Sequence, residues 1–355
     1  MATSALKRPE WVGYHEVPGI LLVRLMSRCN EKCLFCMVAD EIAYSDDVRF
    51  QEVADTILRQ PPGTQIEFFG GEPTIYPRFL ELLEIARTAG YRCSIASNLR
   101  IFHSASFTAK VQALGADEIY IRTSLYGDTP ELHDYYTDVP GSHRQTLQGI
   151  HNIVAAGFEC QVNIVILAEN VDRLDRMVDQ VHDWGVHRVK LGNLMSLDTC
   201  GEHGVRLSAV RPRLAAAIAR AEAHGLSVTV EKTPICVASG RIDLLSTERM
   251  IYDSDRVYDD AGACSGCLVR RWCDGFDPGY VDLFGFDGIQ TLDHVPAAAL
   301  RRTPAPEPEL LKMHCVEIAD NEPDEATQRE LYELSRVVLA KHGCLAVFPR
   351  EYVAT

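Results

Sequence analysis

The chain has 355 residues, 46% of them hydrophobic and 24% charged, the balance of a globular protein with room for one large domain and an appendage, or for two. Its net charge is −15 and no long basic run offsets it, which argues against direct binding to nucleic acid or an anionic membrane. No stretch approaches the ~18 uninterrupted apolar residues of a membrane span, and MATSALKRPEWVGYHEVPG at the start has no signal-peptide core, so the expected location is the cytoplasm.

From residue 20 to about 230, short apolar or β-branched runs alternate with longer segments of helical period. The first predicted strand, ILLVRLM (20–26), leads into RCNEKCLFCM (28–37), which places Cys29, Cys33 and Cys36 at C-x3-C-x2-C spacing. A helix over 48–59 follows, then the strand QIEFF (65–69), which runs straight into GGEP (70–73). After a helix over 77–89, the strand YRCSIAS (91–97) ends at Ser97 and Asn98. A helix over 105–114 precedes the strand EIYIRTSL (118–125), whose end reads TSLYG (123–127). Helices over 143–156, 171–184 and 208–224 then alternate with the strands CQVNIVIL (160–167) and RVKLGNL (188–194), and LSVTV (226–230) is a seventh strand candidate. Gly90, Gly157, Gly185 and Gly225 sit where helix-ending glycines belong.

Successive strand–helix units imply an α/β fold with a parallel sheet and right-handed crossovers. A partial (β/α)6 TIM-like barrel and a doubly wound sheet both fit that count, and in either the chemistry sits at the C-terminal strand ends. The cysteine run, GGEP, Ser97–Asn98 and TSLYG all fall on that edge. Beyond residue 230 the alternation stops. Residues 231–285 are turn-rich and hold four cysteines, TPAPEPE (303–309) reads as a stiff connector, and 324–341 reads as an amphipathic helix with Asp324 at its N-cap. The expected organisation is a segment 1–19, a core 20–230, a cysteine-rich extension 231–302, and a linker with a helix over 303–355.

Twelve cysteines without a secretion signal point to metal or catalysis rather than to disulfides. A structural zinc site wants four ligands, and the first cluster supplies three, with His15 and His103 the nearest histidines. Three thiolates on a 4Fe–4S cluster leave one iron open to another ligand; a zinc or free-thiol loop is the alternative. Combined with FFGGEPTIYP (68–77) after the second strand, the cluster resembles the radical S-adenosylmethionine (radical SAM) superfamily over about residues 20–230. The resemblance implies a 4Fe–4S cluster on Cys29, Cys33 and Cys36. Its open iron chelates S-adenosylmethionine, whose reductive cleavage yields a 5′-deoxyadenosyl radical that takes hydrogen from a substrate carbon. It assigns Gly70, Gly71, Glu72 and Pro73 to the methionine amino group, Ser97, Asn98 and Ser124 to ribose and carboxylate, and Phe35, Asn163 and Ile166 to adenine. An ordinary strand-to-helix turn is the alternative for GGEP, and a core aromatic for Phe35.

Cys236 followed by Cys264, Cys267 and Cys273 at C-x2-C-x5-C spacing is similar to the SPASM or shortened twitch extensions of that superfamily. This implies a second, auxiliary 4Fe–4S cluster, with structural zinc as the chemical alternative. Cys315 and Cys344 match no such spacing. Tyr126, His133, Asp134 and Tyr135 are candidate substrate contacts, with an N-cap and helix-surface segment as the alternative; Glu231 or Lys232 is a candidate base or charge anchor, with a solvated pair as the alternative; and Cys200 is a candidate hydrogen donor to a substrate radical, with a small buried hydrophobe as the alternative. The leading reading is a radical SAM enzyme acting on a specialised metabolite or a peptide, reduced by an external one-electron donor such as flavodoxin or ferredoxin. Only nineteen residues precede the first predicted strand, too few for a leader-recognition domain, so a peptide maturase would depend on a separate leader-binding partner. The rival from another class is a noncatalytic iron–sulfur carrier or zinc-stabilised scaffold.

Overall fold

The computed structural model describes residues 13–17, 20–36, 49–194, 201–244, 257–270, 273, 275–293, 316–317 and 346–347. The predicted connector and C-terminal helix, Cys200, Cys315 and Cys344 lie outside the described residues. The expected α/β class is what the chain forms: eight strands follow one another in sheet order β1 to β8, β1 being Gly13–Val17 and β8 Ser227–Glu231. The chain divides into two compact units, residues 1–163 with 183–187 and residues 164–182 with 188–355.

In the first unit, β2 (Ile20–Arg24), β3 (Gln65–Phe69), β4 (Cys93–Ala96) and β5 (Ile119–Leu125) pair in parallel. All five residues of β2 are buried, as expected of a parallel strand covered on both faces. The helices α1 (Phe50–Leu58), α2 (Phe79–Thr88) and α3 (Ala105–Gln112) fall where the periodicity predicts them. In α2, Phe79, Leu82, Leu83 and Ala86 are buried at i, i+3, i+4 and i+7, the stripe that docks a helix on a sheet. A buried ion pair joins Arg122 of β5 to Glu67 of β3.

Two elements of this unit were not expected. β1 pairs antiparallel with β2, from Gly13 opposite Arg24 to Val17 opposite Ile20, and the Pro18-Gly19 dipeptide between them is its sequence signal. α4 (Pro130–Thr137) carries His133, Asp134 and Tyr135. Thr129 accepts the Leu132 N–H at 3.3 Å, Pro130 opens the first turn, and the helix stops at Asp138 in the left-handed region (φ 50°). α5 (Ser142–Ala155) follows, its start capped by Asp134, which accepts from Ser142 Oγ and from the His143 N–H, each at 2.8 Å.

The boundary between the units falls within β6 (Glu159–Ile166). The second unit holds α6 (Leu174–Asp183, up to His182), β7 (Arg188–Asn193), α7 (Leu207–Ala223) and β8, with β7 and β8 parallel. In α6, Leu174, Met177, Val178 and Val181 repeat the buried stripe. The cysteine-rich segment then carries a bridge between Val257 and Phe276 and the short helix α8 (Pro278–Phe284), capped by Asp277. Among the described residues no helix is long and apolar enough to cross a membrane.

Candidate active site

Within the first unit, the loop after β2 and the loop after β3 are bonded backbone to backbone. The Gly71 N–H donates to Met26 O and the Glu72 N–H to Arg28 O, both at 2.9 Å. This contact sets the demand for two glycines. A Cβ on Gly70 (φ 149°) would lie 2.4 Å from Met26 O, and one on Gly71 would lie 2.1 Å from Arg28 O. The space beside the glycines is thus filled by the backbone that leads into the cysteine run. Gly71→Ala is expected to force the two loops apart, at a cost of about 1–3 kcal/mol. Thermal denaturation checks this; an unchanged midpoint would mean the loops yield freely.

Glu72 is fully buried and sits at the centre of the arrangement. Its Oε1 accepts from Thr74 N (3.1 Å), Thr74 Oγ1 (2.5 Å) and Ser97 Oγ (2.8 Å), and its Oε2 from Asn98 N (2.7 Å). Burial raises its pKa, while these donors act in the opposite direction. Glu72 therefore ties the end of β3 to the end of β4. Asn98 continues the tie to the cysteine loop: its Nδ2 donates to Asn30 Oδ1 at 2.6 Å and lies 3.8 Å from Cys29 Sγ. Arg100 also reaches that loop, bonding Asn30 O and, at 2.7 Å, Gln145. On its far side the loop hangs from α4 by Lys32 N–H to Thr137 O and Leu34 N–H to Tyr136 O, both at 2.9 Å.

Cys29, Cys33 and Cys36 are half-buried on this framed loop. Burial pushes the Cys29 thiol up to about 12, against a favourable 3.4 Å N–H bond from Glu31, and burial with neighbouring negative charge raises Cys33 too. Thiols so placed ionise readily only beside a cation, which suits a metal cluster. Among the described residues no three Cys, His, Asp or Glu side chains already form a single-ion site. A cubane asks for one thiolate on each of three irons, so the donor set fits a 4Fe–4S cluster better than zinc.

Phe35, buried between the last two cysteines, meets Tyr126 and Tyr136 edge-on with centroids 4.9 and 5.6 Å apart. Ser124 hydrogen-bonds the Tyr126 hydroxyl, and that phenol is raised by burial and by the charge of Cys33 and Glu31. His133 is buried and stacked on Tyr126 at 5.3 Å, Asp134 is a helix cap, and Tyr135 is exposed. Asn163 accepts from Gln161 at 2.8 Å. The sequence reading passed over Glu31, a buried carboxyl between Cys29 and Cys33. Burial pushes it up to about 7, and it accepts the Cys33 thiol at 3.6 Å. An acid inside a three-cysteine loop was the available signal.

In the second unit, Ile166 is buried at the end of β6, and Glu231 pairs with Lys190 at 3.4 Å. Cys273 Sγ accepts the backbone N–H groups of Ile235 and Gly275, both at 3.4 Å, which brings it beside the Cys236 segment. Burial is the main reason the Cys236 and Cys264 thiols are raised, and both also feel the charge of Cys267. Among the described residues these cysteines do not form a group placed to hold a metal ion.

Residues 23–181 match the model of the Radical SAM superfamily. The AdoMet-dependent heme synthase of Oleidesulfovibrio alaskensis is 30% identical over 40% of this chain and 37% of that protein. The PqqA peptide cyclase of Streptomyces rochei is 28% identical over 50% and 48%, and the mycofactocin maturase MftC of Mycobacterium ulcerans 27% over 45% and 43%. The matches thus span less than half the length of these relatives. The solved structure of native anSMEcpe with bound AdoMet and Kp18Cys peptide shares the fold, with TM-score 0.51 and 15% identity over 63% of this chain and 65% of that one.

Proposed function

We propose that the chain is a peptide-modifying radical SAM enzyme, a reading supported by the match of residues 23–181 to the model of the Radical SAM superfamily. When bound, the cluster and S-adenosylmethionine supply reductive cleavage to a 5′-deoxyadenosyl radical that removes hydrogen from a substrate carbon. In this reading Cys29, Cys33 and Cys36 hold the cluster, and residues 20–230 form the catalytic core. The Glu72–Ser97–Asn98 tie holds the cysteine loop in register with the ends of β3 and β4. The remaining lone pairs of Glu72 Oε2 suit the methionine ammonium, and Ser124 suits a ribose hydroxyl. Buried Phe35, packed edge-on against Tyr126, excludes water behind the cysteines. The observation that carries the reading is this convergence of three thiols, a buried carboxylate and Asn98 at the strand ends.

The peptide substrate is favoured over a small metabolite by the likeness to PqqA peptide cyclase and mycofactocin maturase. An external one-electron reductant and a cytoplasmic setting complete the proposal. The test is anaerobic reconstitution with iron and sulfide, then S-adenosylmethionine and dithionite: 5′-deoxyadenosine is expected. Its absence from cluster-loaded protein would favour the noncatalytic carrier.

The four cysteines of the second unit are assigned an auxiliary 4Fe–4S cluster within residues 231–302. Two N–H groups directed at Cys273 Sγ support a thiolate there. The reconstituted chain is then expected to carry about eight irons, four per cluster. About four irons with one zinc would instead make this centre structural.

A further inference from the structure

Glu31 lies in the chain between Cys29 and Cys33 and is 4% exposed, yet its carboxyl is only half engaged. Its Oε2 accepts the Cys33 thiol at 3.6 Å, while the buried Oε1 has no hydrogen-bond partner among the described residues. The group sits inside the framework of the site. It feels the charge of Glu72 and of Arg100 and the side chain of Asn98, and its own charge reaches Tyr126. Two buried carboxyls therefore share one interior. The Arg100 guanidinium that offsets them is already bonded to Asn30 O and Gln145.

A carboxyl packed among thiols and near a second carboxyl costs the fold stability, because like charges in a closed site oppose one another. An apolar side chain would fill the position without that cost, and carboxyls kept in such a setting gather where a ligand uses them. The donor on Oε2 is also temporary. A thiol gives up its proton when it ligates iron, so a loaded cluster takes that donor away and leaves Asn98 and Arg100 as the neighbours of favourable sign. What the site then lacks is a cation. We propose that Glu31 is a cofactor-binding residue, a second carboxylate that with Glu72 receives the positively charged end of S-adenosylmethionine, through its amino group or its sulfonium. The proposal rests on the radical SAM function above and deepens it.

The test is anaerobic calorimetric titration of the cluster-loaded, full-length protein with S-adenosylmethionine and, separately, with S-adenosylhomocysteine, which keeps the amino group and lacks the sulfonium charge. No reductant is present, so binding alone is read. Glu31→Gln keeps the shape of the side chain and removes its charge. It is expected to weaken S-adenosylmethionine binding by about tenfold or more, with iron content at the wild-type level and a melting midpoint of the unloaded protein no lower than the wild type's. A loss confined to S-adenosylmethionine assigns the contact to the sulfonium; an equal loss with both ligands assigns it to the amino group. Glu31→Asp, which keeps the charge, should bind more tightly than Glu31→Gln. Wild-type affinity in Glu31→Gln overturns the proposal, as does the reverse order of the two variants. Loss of iron from Glu31→Gln also overturns it, since the residue would then serve the cluster loop and not the cofactor. If the wild type binds no S-adenosylmethionine, the function proposed above fails and this proposal falls with it; a wild type that binds, with variants that bind as well, sinks this proposal alone.

Discussion

Alanine at Cys29, Cys33 or Cys36 is expected to abolish 5′-deoxyadenosine formation and to remove about four irons per chain. Each thiol sits on a loop held on one side by Asn98 and Arg100 and on the other by α4, so the remaining two sulfurs cannot shift to replace the third. Two thiolates leave two irons without protein ligands, and the single open position disappears. Cys93→Ala is the control: that thiol is buried in β4 and pushed up to about 12 by burial, the state of an inert core cysteine. It should keep its iron. Wild-type iron content and 5′-deoxyadenosine yield in any one of the three loop variants would strike that cysteine from the ligand set.

Replacing Glu72 with alanine is expected to destabilise the fold and lower cluster retention together. The change strands the donors of Thr74, Ser97 and Asn98 in a site closed to solvent. A buried donor left unpaired costs about 1–3 kcal/mol, so a total above about 3 kcal/mol is expected. At about 2–4 °C per kcal/mol, the melting midpoint should fall by at least about 6 °C. Iron loss follows because Asn98, released from Glu72, no longer holds Asn30 and Cys29 in place. Glu72→Gln should be intermediate, since its amide N–H2 would face a donor. If Glu72→Ala instead kept its midpoint and its iron and only bound S-adenosylmethionine more weakly, the carboxylate would act on the ligand alone.

The strands and most helices were legible because burial on a parallel sheet leaves a plain trace, an apolar run for β2 and a 3.6-residue stripe for α2 and α6. α4 was passed over although Thr129 and Pro130 announce it, since PELHDYYT has too few apolar residues for a stripe. The cysteine run and GGEP were legible as a pair by their spacing and position. What the glycines contact was not. A side chain on either glycine would meet Met26 O or Arg28 O, a contact made between segments more than forty residues apart that no local pattern records. The link from Glu72 to Asn98 was hidden for the same reason, since it depends on adjacent strands and not on local pattern. Asp134 serves as a cap, the alternative to a substrate contact, and the two could not be told apart because a capping carboxylate and a ligand-binding one have the same sequence signature.

The antiparallel pairing of β1 with β2 carries a consequence for handling the protein. Its hydrogen bonds to Gly13–Val17 cap one side of Ile20–Arg24, a strand whose residues are all buried. A chain shortened past Val17 would present that side as a bare row of amides and carbonyls flanked by Ile, Leu and Val. Such a row is a template for other chains, and self-association there would proceed with the cysteine loop and its chemistry intact. Poor yield of a trimmed protein would then report colloidal instability at one strand edge, and not a defect of the metal centre.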